Sequence, residues 1–253
     1  MGSPWATPVL KHFKAYFSTN IAKTTISNTL ILSGLTLLVT FPVPIIFALI
    51  LNQVRSLRAK KTIQTISYAP YFISNVVVVS ILSVICAPSG FINTIYSFFT
   101  GRTALFMSRS EYFRPVYIIS NIWQTMGFSA IIYIAALAGI SPEYYEAAIV
   151  DGASRFKRIL HIDIPLIMPT IIIMLILGVG NIMTIGYEKT YLMQSGANLS
   201  VSEIISTYVY KVGLTSAQYS FATAIGLFNS VTNFIILLVM NQITRKSADI
   251  SIF

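Results

Sequence analysis

The stretch "EAAIVDGASRFKRILHIDIP", residues 146–165, carries charges of both signs between two long apolar runs. Upstream lies "IISNIWQTMGFSAIIYIAALAGI" (118–140) and downstream "PLIMPTIIIMLILGVGNIMTIGY" (165–187), neither containing Asp, Glu, Lys or Arg. A helix that crosses a bilayer needs about 20 mainly apolar residues. A charge at its centre costs roughly 2.5–3.5 kcal/mol. The stretch therefore reads as the polar connection between two membrane-crossing helices, and the fold class follows: an all-α integral membrane protein.

Composition agrees. Of 253 residues, 55% are hydrophobic and only 10% charged, against about a quarter charged in a soluble domain. So few charges cannot coat a globule, and lipid is the solvent for much of the chain. The net charge of +9 falls in the connections, where it suits anionic headgroups and orientation in the bilayer. No basic helix or stacking-aromatic module accompanies it, which excludes nucleic acid as a partner. Cys86, the single cysteine, sits in an apolar run and has no partner for an internal disulfide.

Five stretches pass the spanning test: Ser27 to Leu51, Ser67 to Ala87, Pro115 to Ile140, Pro165 to Tyr187 and Tyr219 to Ile243. With the first and third connections and the tail inside, the cytoplasm holds nine of the basic residues and the outside eight. The long fourth connection is the sparsest, which favours this orientation. Three regions result: an extracytoplasmic segment 1–26, a transmembrane domain 27–243 and a cytoplasmic tail 244–253. The start "MGSPWATPVLKHFKAYF" lacks a basic region followed by an apolar core, so it is no signal peptide. An outside start without one predicts a further spanning helix ahead of this chain. Pro42 and Pro44 should bend the first span. Residues 87–106, "APSGFINTIYSFFTGRTALF", read as an outer loop with a short apolar helix at the interface.

Within the polar connection, Ser141-Pro142-Glu143 has the grammar of a helix start: capping Ser, Pro in the first turn, then an acid. A short helix should run towards Val150 and end near Gly152, where glycine suits a left-handed cap. Ser154 should cap a second short helix, "RFKRILH", before Pro165 starts the next span. Tyr145 and Ile149, four apart, make an apolar stripe, and Ala147 and Ala148 allow close approach of another protein. An ordinary amphipathic loop fits the same residues.

Glu146-Ala147-Ala148, then Gly152, then Ile162-Asp163-Ile164-Pro165 stand at the spacing of a known signature. In it, Glu-Ala-Ala is followed after three residues by Gly and after nine more by Ile-x-Leu-Pro. In this it resembles the permease subunits of binding-protein-dependent ATP-binding-cassette importers. The one departure is Ile164, where the family prefers Leu. Asp151 and Ala153 complete the "DGA" of its sugar-transporting branch. The segments "ALFMSRSEYFRPVYIISNIWQTMGFSAIIYIAALAGISPEYYEAA", "GNIMTIGYEKTYLMQ", "STYVYKVG" and "YSFATAIGLFNSVTNFIILL" look like the branch importing oligosaccharides or polysaccharide fragments.

The resemblance implies a six-helix permease, with a first helix missing from this chain and the 141–165 loop cytoplasmic as a coupling helix. It implies a dimeric ATPase partner that carries ATP and Mg, with no cofactor bound by this chain. A second, similar permease would complete a heterodimer, and an external solute-binding protein would deliver sugar. The setting is a bacterial cytoplasmic membrane. Tyr145, Glu146, Ala147, Ala148, Asp151, Gly152, Ile162 and Pro165 would couple to the ATPase.

The chain itself lacks a phosphate-binding Gly-x-x-x-x-Gly-Lys-Ser/Thr loop, a nucleophile elbow and any metal-ligand spacing around His12 or His161. That speaks against a membrane-bound enzyme. An ion-coupled carrier normally titrates an acid or histidine inside the membrane, and Glu188 is the nearest candidate, read as an interfacial residue paired with Lys189. For a sugar, amides and aromatic faces are needed along the path. Asn121, Trp123 and Gln124 in the third span, Asn181 and Tyr187 at the fourth, and Asn229 and Asn233 in the fifth are the candidates. Helix-to-helix hydrogen bonding is the competing use of the same groups. An importer permease for a non-sugar solute stays open beside the sugar reading.

Overall fold

The structure, a computed structural model, describes residues 10–248. Parts of the expected N-terminal segment 1–26 and of the tail 244–253 lie outside them. Among the described residues there are helices and turns and no strand. Four helical runs are long and apolar enough to cross a membrane: Asn20–Asn52, Ser110–Ala138, Arg155–Gly180 and Tyr219–Lys246. A fifth crossing exists if one bent pair, Leu57–Phe72 and Asn75–Ile85, counts as one span.

Each run departs from a plain rod where its residues demand it. The first comprises α2 (Asn20–Thr40) and α3 (Pro42–Asn52), preceded by α1 (Lys11–Phe17). Pro42 has no N–H to continue α2, so the ladder is interrupted at Phe41 and Pro42 opens the next stretch. A straight helix over Ser67 to Ala87 does not form. Instead α4 (Leu57–Tyr68) passes into a 3₁₀ turn at Ala69–Phe72, and α5 (Asn75–Ile85) leaves at 99°. Pro70 weakens the ladder there, and Ser74, extended at φ −63°, ψ 150°, accepts from the Val77 N–H and starts α5 afresh. The Ile73 carbonyl freed by the break accepts from Gln124 Nε2 at 3.1 Å.

The third run is α7 (Ser110–Ser129) and α8 (Ile131–Ala138), and the interfacial helix expected before it is α6 (Phe91–Thr100). Gly101, at φ +68°, closes α6 in the left-handed region. After α9 (Pro142–Val150) and the one-turn α10 (Arg155–Arg158), a π-helical turn at Ile159–Asp163 runs straight into α11 (Ile164–Gly180). The fourth run thus begins at Arg155 rather than at Pro165. The wider turn, with the Ile164 N–H reaching back to the Ile159 carbonyl, accommodates the proline that lacks a donor. It ends at Gly180, short of Tyr187. Tyr187 opens α12 (Tyr187–Leu192) beyond a break in which Asn233 Oδ1 accepts from the Met183 N–H at 3.1 Å. Short helices α13 (Leu199–Ser202) and α14 (Ile205–Tyr210) precede the 30-residue α15 (Tyr219–Ala248).

The chain gathers into two compact units. One takes the residues up to Leu35, Ser74–Tyr117 and Gly180–Ile236, and its core is built on Tyr16, Ala22, Met183, Ile205 and Ile225. The other takes Thr36–Ile73, Ile118–Val179 and the residues from Leu237, around Ala48, Leu49, Ala130, Tyr133, Leu137 and Ile167. In the latter, a Cβ on Gly127 would lie 2.1 Å from the Ser67 carbonyl oxygen. Only glycine lets α7 approach the end of α4 so closely.

Candidate functional site

The segment 141–165 folds as a short helix capped at both ends and anchored at one point. Ser141, extended at ψ 134°, accepts from the Glu143 N–H and Pro142 fills the first turn, so α9 starts where the sequence predicts. At its other end Asp151 is followed by Gly152 at φ +73°. The Ala153 N–H bonds the Ala148 carbonyl at 2.8 Å and the Gly152 N–H bonds the Ile149 carbonyl at 3.0 Å. That pair of bonds is a Schellman cap, which only a residue tolerant of positive φ completes without strain. Ser154 then accepts from the Lys157 N–H and starts α10.

The anchor is a residue outside the predicted set. Asp163 is fully buried, and its carboxylate accepts from the Tyr145 hydroxyl at 2.5 Å and from Gln53 Nε2 at 3.3 Å. Burial, together with the adjacent Asp163 carboxylate, pushes the Tyr145 phenol well above its ordinary range, so it remains a donor. Tyr145 and Ile149 line the same cavity, but the Tyr145 hydroxyl adds a polar role that the apolar stripe did not suggest. It ties α9 to the foot of the long helix that begins at Arg155, while Ile149 is exposed. The signal was present in the sequence as an acid at the mouth of an apolar run, which needs donors once buried.

The other coupling candidates divide by exposure. Glu146, Ala147, Asp151, Gly152 and Pro165 are exposed, whereas Ala148 and Ile162 are half-buried. The surface of α9 also presents Tyr144, Ile149 and Val150, the last 87% exposed. His161 is exposed, its Nδ1 beside the Lys157 carbonyl.

The path candidates fall in both units. Asn121, Trp123 and Gln124 belong to one; Gln124 is buried and holds the Ile73 carbonyl, and Trp123 is exposed. Asn181, Tyr187, Asn229 and Asn233 belong to the other. There a cavity of about 670 Å³ brings Tyr187 and Asn229 together with Tyr210 and Tyr219. Asn229 Oδ1 is buried without a hydrogen-bond partner. Tyr187 and Tyr210 approach with ring centroids 5.6 Å apart. Asn233 does not join them but serves the Met183 backbone. Glu188 accepts from Asn75 at 2.6 Å, and Lys189 is buried near the Tyr117 ring. Neighbouring residues on a helix point about 100° apart, which separates their surroundings. Among the described residues, no His, Cys, Asp or Glu cluster could hold a metal.

The signature spacing implied an importer permease, and a family model matches residues 21–248. The chain belongs to the binding-protein-dependent transport system inner membrane components. It is 40% identical to the polygalacturonan/rhamnogalacturonan transport system permease protein YteP of Bacillus subtilis, over all of this chain and 78% of that one. Protein LplB of the same organism is 43% identical over 93% of this chain and 74% of its own. A crystal structure of a bacterial ABC transporter involved in import of the acidic polysaccharide alginate contains a chain that is 40% identical. The two superpose with a TM-score of 0.92 over 97% of this chain and 86% of that one. A second structure of the alginate transporter, bound to a pentasaccharide-loaded periplasmic protein, matches with the same TM-score over 96% of this chain. This permease is thus a membrane transport subunit and not an enzyme.

Proposed function

We propose that the permease conducts an oligosaccharide or polysaccharide fragment across a bacterial cytoplasmic membrane, as one half of a heterodimer powered by a separate ATPase dimer. The observation that carries this is the construction of α9, capped at both ends and tethered through Tyr145 to buried Asp163 at the foot of a membrane-crossing helix. A rigid exposed helix so joined transmits displacement. Closure of the ATPase pair on ATP and Mg would move α9, and α9 would carry the helix from Arg155 with it. Glu146 provides a polar contact to the ATPase, Ala147 and Ala148 the packing surface, and Gly152 the turn. Transport then couples to hydrolysis because both bias one two-state element.

The sugar reading draws support from the cavity of Tyr187, Tyr210, Tyr219 and Asn229, which brings ring faces and an amide side chain together. Saccharides need both, and the volume lies within the range of small-ligand sites. The relatives named for acidic polysaccharide and for polygalacturonan direct attention to uronate-bearing chains.

The test is uptake by proteoliposomes containing the permease pair, the ATPase and the external binding protein. Labelled oligogalacturonate or alginate oligomers should accumulate only with internal ATP, at a rate well above that of a malto-oligosaccharide. Accumulation driven by a proton or sodium gradient without ATP would defeat the reading.

A further inference from the structure

A second cavity, of about 690 Å³, lies against the coupling segment and is basic. Arg55, Arg155 and Arg158 line it together with Asn52, Gln53 and Tyr145, and no carboxylate does. Asp163, which bonds two of the lining residues, is occupied with Tyr145 and Gln53. The two ion pairs found among the described residues, Arg109–Glu111 and Lys211–Glu203, include none of these arginines. Arg158 Nε is buried with no hydrogen-bond partner. Three guanidinium groups around one space repel one another unless an anion sits between them, and their planar forks match phosphate oxygens two at a time.

The position of the cavity says which anion. Asn52 is the last residue of one candidate span and Arg155 the first of another. Both contribute to the lining, so the cavity sits where two crossing helices leave the bilayer on the same side. Exposed apolar side chains flank the arginines along the chain: Ile50, Leu57 and Phe156 are 62%, 74% and 69% exposed. The site therefore offers charge for a headgroup and apolar surface for what is attached to it. Its volume suits a whole small ligand rather than the tip of one acidic side chain. Basic pockets between membrane helices on the cytoplasmic side recognise anionic headgroups in this way.

We propose that Arg55, Arg155 and Arg158 bind the phosphate headgroup of an anionic phospholipid, seated between the end of α3 and the start of the helix at Arg155. The lipid braces the segment that carries α9. Binding itself does not depend on the coupling assignment; an effect of the lipid on ATP hydrolysis rests on it.

The experiment uses the whole importer in nanodiscs of phosphatidylcholine with increasing phosphatidylglycerol, compared with Arg55→Gln/Arg155→Gln and with Arg55→Gln alone. Native mass spectrometry counts retained lipid, and inorganic phosphate is added in a parallel series. The wild-type complex should retain phosphatidylglycerol that the double variant releases, with about tenfold weaker retention, and Arg55→Gln should fall between them. Inorganic phosphate should compete only weakly. Equal retention in wild type and both variants overturns the proposal. So does full displacement by inorganic phosphate, which would make the site one for a free anion. Loss of the ATPase subunit at unchanged lipid retention would assign the cavity to an acidic side chain of that partner instead. Should the double variant fail to assemble, Arg55→Gln decides alone, since Arg55 lies on the exposed connection after α3.

Discussion

Gly152 separates two ways in which a residue is required. At φ +73° a Cβ would meet nothing within 4 Å, so space is no obstacle and the backbone conformation is the whole constraint. A β-branched residue there costs about 1–3 kcal/mol, whereas asparagine tolerates the left-handed region. Gly152→Val should lower binding-protein-stimulated ATP hydrolysis about tenfold, and Gly152→Asn should stay within about twofold. Both should insert normally. Equal activity of the two variants would show that the Schellman cap does not matter to coupling. Tyr145 makes the complementary case, because its contribution is a single donor. Tyr145→Phe leaves the buried Asp163 carboxylate with Gln53 alone among the two partners described above. An unmet buried acceptor costs about 1–3 kcal/mol. The thermal midpoint of the detergent-solubilised protein should fall by several degrees, and an unchanged midpoint would remove the tether from the mechanism.

At the scale of elements, Gly127 is the position where packing leaves no freedom. The Cβ of any other residue would sit 2.1 Å from the Ser67 carbonyl oxygen, which is backbone and cannot swing aside. Gly127→Leu should abolish most of the folded yield in fluorescence-detected size exclusion, while Gly34→Ala, with open space around it, should raise stability slightly through helix propensity. Comparable yields from both would contradict the close crossing of α4 and α7. The same elements mark what was legible in the chain. Among the described residues, length and apolarity located the four runs able to cross a membrane, though not all of their bounds, and Ser141, Pro142, Gly152 and Ser154 marked α9 and its caps. The 99° bend between α4 and α5 was not legible. Pro70 and Ser74 punctuate that run without altering its hydropathy, and the group that donates to the freed Ile73 carbonyl, Gln124, lies 51 residues away. The junction at Arg155 was hidden for the opposite reason, since Pro165 looks like a helix start and the π-helical turn lets the helix pass through it. The Tyr145 tether was not legible because its partner, Asp163, lies 18 residues away and leaves no mark on the pattern of α9.

At the scale of the whole molecule, cations among the described residues lie in the connections or towards the ends of the crossing runs, as a chain dissolved in lipid requires, and Lys189 stands out as the one that is buried. It is 3% exposed, near the Tyr117 ring, on a short helix outside the crossing runs. Burial lowers its pKa from 10.5 to about 8. A lysine with a lowered folded pKa destabilises the fold at every pH below that value, because the folded chain must hold a desolvated charge or forgo a proton that the unfolded chain keeps. Between about pH 8 and 10.5 the unfolded chain binds the proton and the folded chain does not, so stability rises with pH across this window. The full relief is on the order of 3 kcal/mol. Lys189→Met should therefore raise the unfolding midpoint at pH 7 and erase that part of the rise above pH 8. Comparing thermal unfolding of the two proteins at pH 7, 8, 9 and 10 isolates the effect, since every other titrating group is shared. Parallel curves would mean that Lys189 keeps its charge in the fold, held by oxygen ligands strong enough to offset its burial. Tyr187, on the same helix as Lys189, lines the cavity with Tyr210 and Asn229, so uptake by Lys189→Met would show whether the lysine acts there as well as on stability.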